Sequence, residues 1–183
     1  MADPGGAVGC YPGSFNPPTV AHLAVAEAAV AAAGLVRLDL VVSTVALAKE
    51  DMSVPTLADR LAVLDAVAAT RPWLGVVRTD RQLIVDIAEG YDAVVVGADK
   101  WRQVNDPAWY DGDPLARDAA LARLPRVLVA PRAGDRPDGV ELLDVHEELH
   151  HVSATAVRDG ARPEWLLPEA ERYWREGWQR GHQ

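Results

Sequence analysis

The 183-residue sequence is poor in cysteine, in lysine and in long apolar runs, and each scarcity excludes a class of protein. Its single cysteine, Cys10, excludes an intramolecular disulfide and a cysteine-based zinc site. No stretch approaches the roughly 18 consecutive apolar residues that a membrane-spanning helix needs. The first residues, MADPGG, lack the basic and apolar regions of a secretory signal. We therefore expect a cytoplasmic protein with no membrane partner.

A deficit of positive charge narrows the range of ligands. The chain has 18 lysines and arginines against 27 aspartates and glutamates, which gives a formal net charge of -9. Such a surface repels DNA, RNA and anionic membranes, so we expect no nucleic-acid partner. The only lysines are Lys49 and Lys100. An anionic ligand must therefore be held locally, by a few well-placed cations and backbone amides.

What the sequence does contain is an alternation of strands and helices. Apolar, β-branched runs predict strands at 6–11, 37–43, 74–79, 92–97, 126–132 and 139–145. Alanine-rich or amphipathic runs predict helices at 20–33, 56–69 and 80–89, as short pieces within 99–124, and at 153–159 and 168–179. Strands that are apolar throughout and alternate with helices indicate a parallel sheet covered on both faces. We predict a single α/β domain over residues 1–183, with a doubly wound parallel sheet and a helical carboxyl-terminal end.

The loop between the first strand and the first helix, GSFNPPTVAH (13–22), carries the main functional signal. Gly13 and Ser14 allow close backbone approach, Thr19 can cap the helix, and His22 lies one turn further on the same face. Free N–H groups at a helix N-terminus bind phosphate readily. The common nucleotide loops G-x-G-x-x-G and G-x-x-x-x-G-K-[ST] are absent. The loop therefore predicts a phosphate site of another kind.

This loop resembles the signature of the nucleotidyltransferase superfamily with the HxGH motif, closest to nicotinamide and nicotinate mononucleotide adenylyltransferases. The second signature of that family, ISSTxxR, is matched by VSATAVR (152–158), in the right order and at the right separation. Thr19 and Ala21 replace the first histidine and the glycine of HxGH, and Ala154 replaces the second serine of ISSTxxR. Threonine in that place also resembles the eukaryotic-type enzymes, whose motif reads GSFNPxTxxH. The resemblance implies a Rossmann-like nucleotidylyl transferase fold and nucleotidyl transfer from a nucleoside triphosphate.

The resemblance also implies roles for individual residues, none of them as a metal ligand. The implied catalytic residues are Thr19, His22, Lys49 and Arg158. The implied nucleotide-binding residues are Gly13, Ser14, Phe15, His22, Gly97, Asp99, Ser153, Thr155 and Arg158. The implied acceptor-binding residues are Lys49, Arg60 and Trp109. Mg²⁺ would accompany ATP and bridge its oxygens with few protein ligands, as that ion prefers. No covalent nucleophile is needed, because such a transfer depends on positioning and on stabilising charge.

Three interpretations of the reaction stay open. The first is transfer of AMP from ATP to a pyridine mononucleotide, because VGADKWRQVNDPAW (96–109) resembles the GAD…W segment of those enzymes. The second is another phosphorylated acceptor such as phosphopantetheine, suggested by QLIVDIAEGYDAVVVG (82–97), or the use of CTP. The third is a nucleotide-binding protein without turnover, which the departures at Thr19 and Ala21 favour. The expected partners are ATP and a small phosphorylated acceptor, and a homo-oligomer is left open.

Other chemically active side chains are interpreted as structural. Cys10 lies within the first predicted strand and is assigned to the core. His146, His150 and His151 accompany two glutamates in a polar stretch, and we interpret them as surface residues rather than as a metal cluster. Besides its implied role, Arg60 has the alternative of lying with its aliphatic part along an apolar helix face.

Overall fold

The computed structural model describes residues 5–45 and 56–171, and the strands of this part form one six-stranded sheet. The strands are β1 Ala7–Pro12, β2 Leu35–Ser43, β3 Leu74–Thr79, β4 Ala93–Gly97, β5 Arg126–Ala130 and β6 Glu141–Leu142. Every pairing is parallel, in the order β3-β2-β1-β4-β5-β6. The order reverses between β1 and β4, as in doubly wound folds. The predicted α/β class is confirmed.

Helices and 3₁₀ turns connect the strands. The helices are α1 Val20–Ala33, α2 Leu57–Ala69, α3 Ile84–Ile87, α4 Ala98–Asn105, α5 Pro114–Leu121 and α6 Ala154–Arg158. The 3₁₀ turns are Pro107–Tyr110, Glu147–Leu149 and Pro163–Trp165, and residues 168–171 begin a further helical turn. The rest of the predicted helix 168–179 lies outside the described residues. No helix in the described ranges is long and apolar enough to cross a membrane.

The strongest local signals match their elements in position. The helix predicted at 20–33 is α1, which ends at Gly34 in the left-handed conformation that favours glycine. The strand predicted at 74–79 is β3. Thr56 caps α2 as predicted, because its hydroxyl accepts a hydrogen bond from the Asp59 N–H at 3.1 Å. Local capping residues and apolar periodicity are therefore sufficient to predict these limits from the sequence.

Three predicted elements are wrong in extent. The helix predicted at 80–89 is reduced to α3, and the strand predicted at 139–145 is reduced to the two residues of β6. The strand predicted at 126–132 ends at Ala130, because Pro131 has no N–H to donate to a neighbouring strand. Pro131 and Arg132 consequently lie in the loop that follows β5. This shift of two residues bears directly on the functional site.

The sheet separates two apolar clusters, since successive strand residues point to opposite faces. The larger cluster packs beneath α1 and α2 and includes Tyr11, Leu40 and Val95. The smaller cluster, on the other face, includes Cys10 and Val94. Cys10 is fully buried, and burial raises the pKa of its thiol to about 12. Its assignment to the core is confirmed.

The segment after α6 returns to the first loop of the chain. Leu166 forms an isolated antiparallel bridge with Thr19, at the start of α1. Further along, the Glu169 carboxylate accepts a hydrogen bond from Arg71 at 2.7 Å, just beyond the end of α2. These contacts hold the segment after α6 against the start of α1 and the end of α2.

Candidate active site

A cleft of about 540 Å³ opens at the carboxyl ends of the strands, beside the reversal of strand order. Tyr11, Gly97 and Ala130, at the ends of β1, β4 and β5, line it. The remaining lining comes from the first loop and α1, from Pro131 and Arg132, and from residues 145–158. Both sequence signatures therefore meet where doubly wound folds bind their ligands.

The charges of the cleft oppose those of the protein as a whole. Its described lining includes Arg132, Arg158, His22 and His150 but no aspartate or glutamate. The whole chain, in contrast, carries a net charge of -9. A concave site with fixed cations and no carboxylates attracts anions, because the low-dielectric walls focus its field. The cleft is thus suited to a compact anion such as a phosphate chain.

His22 is held in one tautomer by the backbone at the start of α1. Its Nδ1 accepts a hydrogen bond from the Thr19 N–H at 3.0 Å. A backbone N–H can only donate, so the neutral ring carries its proton on Nε2. Burial, and secondarily the charge of Arg132, lowers the pKa of His22 to about 4. At neutral pH the ring is uncharged and keeps Nε2–H to donate to a ligand.

Thr19 supports His22 from within the protein. Its side chain is almost fully buried, and its hydroxyl lies 2.9 Å from His22 Nδ1. The resemblance implied that this hydroxyl would bind phosphate. Although Thr19 contributes to the cleft lining, its polar atoms face the histidine. In this structure Thr19 is a positioning residue for the His22 ring.

Gly13 and Phe15 support the first loop on the side that faces the protein interior. The Gly13 N–H donates to the Val41 carbonyl at 3.0 Å, so this amide is already paired within the protein, and Gly13 does not appear in the described lining of the cleft. The Phe15 ring is buried, with its centroid 5.2 Å from that of His22. A Cβ on Gly13 would come within 2.9 Å of this ring, which accounts for glycine here. Ser14 is the residue between them that lines the cleft.

The second signature reaches the cleft through α6. Ser153 caps this helix, with its hydroxyl accepting a hydrogen bond from the Ala156 N–H at 3.4 Å. The Arg158 guanidinium donates to the Thr155 hydroxyl at 2.9 Å and to the Asn16 carbonyl. Arg158 therefore joins the two signatures directly, and Ser153, Thr155 and Arg158 all line the cleft.

Of the residues implied for the acceptor, Arg60 and Trp109 do not line the cleft. Lys49 lies outside the described residues. Arg60 is buried within α2 and is absent from the described lining, because α2 turns this position towards the core. Trp109 lies in the 3₁₀ turn that follows α4, 55% exposed, and lines a separate hollow of about 60 Å³ with Lys100 and Tyr110. We call this the Trp109 hollow.

Arg132 and His150 are among the cleft residues that the sequence interpretation missed. Arg132 was included in a strand, whereas it follows β5 and lines the cleft. The rule that ligands bind beyond strand ends would have found it, had Pro131 been taken as the end of β5. His150 was interpreted as a surface residue, but it lines the cleft, where its Nε2 donates to the Val145 carbonyl at 2.9 Å. No local pattern distinguishes His150 from its histidine neighbours.

Asp99 lies close to the cleft without lining it. It belongs to the first turn of α4, two residues after Gly97, and its carboxylate is mostly exposed. Its Oδ2 is 3.7 Å from Nε of Arg132. Of the implied nucleotide-binding residues, Asp99 is therefore connected to the cleft only through Arg132.

The donor set of the cleft does not make a metal site. The described residues contain no group of three histidines, cysteines or acidic residues that could hold a metal ion. Magnesium prefers oxygen ligands and keeps several waters when it binds phosphates. A magnesium ion in this cleft would therefore be held by a bound phosphate chain and water, and we derive no step of the reaction from it.

The reversal of strand order defines a doubly wound α/β protein, and the described lining of its cleft has arginines but no carboxylates at the strand ends. A family model described as cytidylyltransferase-like matches residues 10–160, which is most of the chain. The protein belongs to the cytidylyltransferase-like family and is a nucleotidyltransferase. No curated protein sequence matches the chain.

Two solved structures with the same fold are of one enzyme from Plasmodium falciparum. The chain is similar to its nicotinic acid mononucleotide adenylyltransferase complexed with APC, at 10% sequence identity and a TM-score of 0.66. It is similar to the same enzyme complexed with NaAD, at 11% identity and a TM-score of 0.65. Each match covers 94% of this chain and 96% of the other. At such low identity the likeness establishes the fold.

Proposed function

We propose that the protein transfers AMP from ATP to the phosphate of nicotinate or nicotinamide mononucleotide, giving an NAD-type dinucleotide and pyrophosphate. The observation that carries the transfer reaction is the cleft itself, where a neutral histidine and two arginines line a space to which no described carboxylate contributes. The fold shared with a nicotinic acid mononucleotide adenylyltransferase, solved with APC and NaAD, supports the choice of substrates. The GAD…W segment supports the same acceptor.

The volume and lining of the cleft are compatible with a nucleotide. Its volume of about 540 Å³ falls within the range of roughly 300–1,000 Å³ that is common for small-molecule sites. One part of its lining is polar and includes Ser14, Thr155 and Arg158, while Val145 and Leu149 supply apolar surface. A phosphate chain with an attached base combines these two requirements.

In the proposed reaction, an oxygen of the acceptor phosphate bonds to the α-phosphorus of ATP. The bond from that phosphorus to the bridging oxygen breaks, and pyrophosphate leaves with the bonding electrons. Negative charge grows on the phosphate oxygens, and His22 would donate its Nε2–H to them without giving up the proton. Arg158 would hold the phosphates as a fixed, bidentate donor. One such preorganised donor contributes about 10²–10³ in rate.

The magnesium ion that we propose with ATP would reduce repulsion along the phosphate chain and would travel with the nucleotide. Because the described residues of the cleft lining include no carboxylate, the protein would contribute positioning of the phosphates through Arg158 and Ser14 rather than metal ligands. We expect turnover to require Mg²⁺, so that a chelator abolishes it and excess Mg²⁺ restores it. Full activity in the chelator would contradict this part of the proposal.

The reaction is tested by pyrophosphate release across a panel of substrate pairs. ATP and CTP are each combined with nicotinate mononucleotide, nicotinamide mononucleotide and phosphopantetheine. We expect release with ATP and a pyridine mononucleotide, and formation of the matching dinucleotide. The His22→Asn protein, measured alongside, controls for contaminating activities. Pyrophosphate release only with another substrate pair would replace the acceptor or the nucleotide that we propose. No release with any pair, with ATP binding intact, would indicate a protein without turnover.

A different acceptor has one structural observation in its favour. Trp109, the residue that the resemblance assigns to the pyridine ring, lies in the Trp109 hollow rather than in the cleft. A nucleotidyltransferase with this arrangement could take a phosphorylated acceptor that needs no aromatic contact. The phosphopantetheine arm of the panel addresses this alternative.

A further inference from the structure

Arg132 is a cation of the cleft to which no role has been assigned. It follows β5 and lines the same cleft as His22 and Arg158. Its backbone is fixed by a tight turn, in which the Arg132 N–H donates to the Asp135 carbonyl at 3.1 Å and the Asp135 N–H donates back at 2.9 Å. The Asp135 carboxylate is itself paired with Arg102 at 2.6 Å. The base of the Arg132 side chain is therefore well anchored.

The far end of the Arg132 side chain is held only loosely. Its ion pair with Asp99 has an N–O distance of 3.7 Å, beyond hydrogen-bond length, and both side chains are about half exposed or more. The neighbouring ion pair between Arg102 and Asp135 has a much shorter N–O distance of 2.6 Å. Exposed pairs contribute about 0–1 kcal/mol. A ligand phosphate can therefore displace Asp99 from Arg132 at little cost.

We propose that Arg132 binds the phosphate that His22 contacts, and that Asp99 is its counter-ion only until that phosphate arrives. This inference rests on the proposed function for the identity of the anion. A guanidinium presents paired donors that match phosphate oxygens, which a single ammonium does not. Arg132 and His22 are electrostatically close, since the charge of Arg132 contributes to the lowered pKa of that ring. Arg132 is thus a catalytic residue, and Asp99 competes with the phosphate for its guanidinium group.

The resemblance implies that Asp99 lies near the nucleotide ribose, which differs from the counter-ion role proposed here. If Asp99 held the nucleotide ribose, its removal would weaken ATP binding and leave a ligand without ribose unaffected. If Asp99 competes with phosphate for Arg132, its removal strengthens the binding of both. Inorganic pyrophosphate, which has no ribose, separates the two cases.

The test measures pyrophosphate and ATP binding by calorimetry in Arg132→Gln, Arg132→Lys and Asp99→Asn proteins. We expect Arg132→Gln to weaken pyrophosphate binding tenfold or more and Arg132→Lys to weaken it less, since charge is kept and the fork is lost. Asp99→Asn should tighten it by about two- to fivefold, in line with the strength of an exposed pair. In the Arg132→Gln background, Asp99→Asn should have no further effect.

Arg126→Gln is the matched control. Arg126 lies at the opposite end of β5, exposed and paired with Glu141 at 2.7 Å, so its removal changes net charge equally without touching the cleft. Pyrophosphate binding should be unchanged in this variant. Equal weakening by Arg126→Gln and Arg132→Gln would reduce the effect to long-range charge and overturn the proposal.

The remaining outcomes are decisive in the same way. Wild-type affinity for pyrophosphate in Arg132→Gln overturns the role of Arg132. Weaker ATP binding with unchanged pyrophosphate binding in Asp99→Asn overturns the counter-ion role and favours a ribose contact. If no substrate pair releases pyrophosphate, the proposed function fails, whereas the binding results still decide whether Arg132 holds phosphate.

Discussion

The cleft and the Trp109 hollow are two concavities of one protein, and they are built in opposite ways. The cleft collects residues from the ends of three strands and from two distant signatures, and Arg158 bridges the signatures. The Trp109 hollow is formed by residues 82–84 and 100–110, and its cation, Lys100, donates to Gln103 at 2.7 Å. The topology of the sheet therefore determines the position of the residues that we propose for phosphate. The position of Trp109, which the resemblance implies for the acceptor, depends instead on the geometry of a single connection.

The largest effect is expected from removing the His22 donor. Asn at position 22 can place its Oδ1 near the present Nδ1 and accept from Thr19, but it has no counterpart of Nε2–H. We expect kcat to fall by about 10²–10³, with the melting temperature nearly unchanged. His22→Gln, which can mimic Nε2–H but not the cap, should retain more activity and lose about 1 kcal/mol of stability. Wild-type turnover in His22→Asn would remove His22 from the reaction.

Arg158→Lys tests whether the cleft depends on the bridge between its signatures. Lysine keeps the charge but cannot donate to the Asn16 carbonyl and the Thr155 hydroxyl with one rigid fork. We expect kcat/KM for ATP to fall by about 10–100-fold, since positioning as well as charge is lost. Steady-state kinetics with varied ATP measures this. Full activity would mean that charge alone suffices at this position.

The buried, neutral state of His22 predicts a dependence of stability on pH. Its pKa is about 4 when folded and near 6.5 in the unfolded chain, so the unfolded state binds the proton more readily between these values. The free energy of unfolding should therefore decrease as pH falls from 6.5 towards 4, by about 2 kcal/mol between pH 7 and pH 5. Urea unfolding of wild type and His22→Asn isolates this contribution. If the free energy of unfolding depended on pH in the same way in both proteins, a buried neutral His22 ring would be contradicted.

Trp109→Ala should give the smallest effect on the nucleotide. Because this side chain is 55% exposed and outside the cleft, we expect the KM for ATP to stay within about twofold and the melting temperature to change little. The KM of the acceptor is measured in parallel. A rise in that value alone would join the Trp109 hollow to the acceptor site, while a rise in the KM for ATP would show that the two concavities are not separate.

The sequence predicts those parts of the fold whose limits are local. Gly34 and Thr56 mark the end of one helix and the start of another through their own conformation and hydrogen bonding. The limits of β6 and α3 have no such signal, because the former depends on pairing with β5 and the latter spans a single turn. The extent of an element can therefore be predicted only where its ends are determined by neighbouring residues.

The site follows the same division. The spacing of three residues between Thr19 and His22 predicts their contact, because such positions share a helix face. Apolar periodicity places Arg60 on the same face of α2 as Val63 and Val67, but burial of its whole side chain was not predicted, because charged side chains are seldom buried. Arg132 lies in a local turn with Asp135, and taking Pro131 as the end of β5 would have predicted its position beyond the strand.

The link between Arg158 and the Asn16 carbonyl has a consequence for the order in which the protein is made. These residues are 142 positions apart, and the bridge of Thr19 to Leu166 is longer still. Closing such contacts requires that the chain has been synthesised beyond Leu166, whereas β1, β2 and β3 can pair once Thr79 has been made. We therefore expect a growing polypeptide to pair these three strands well before the two signatures come together.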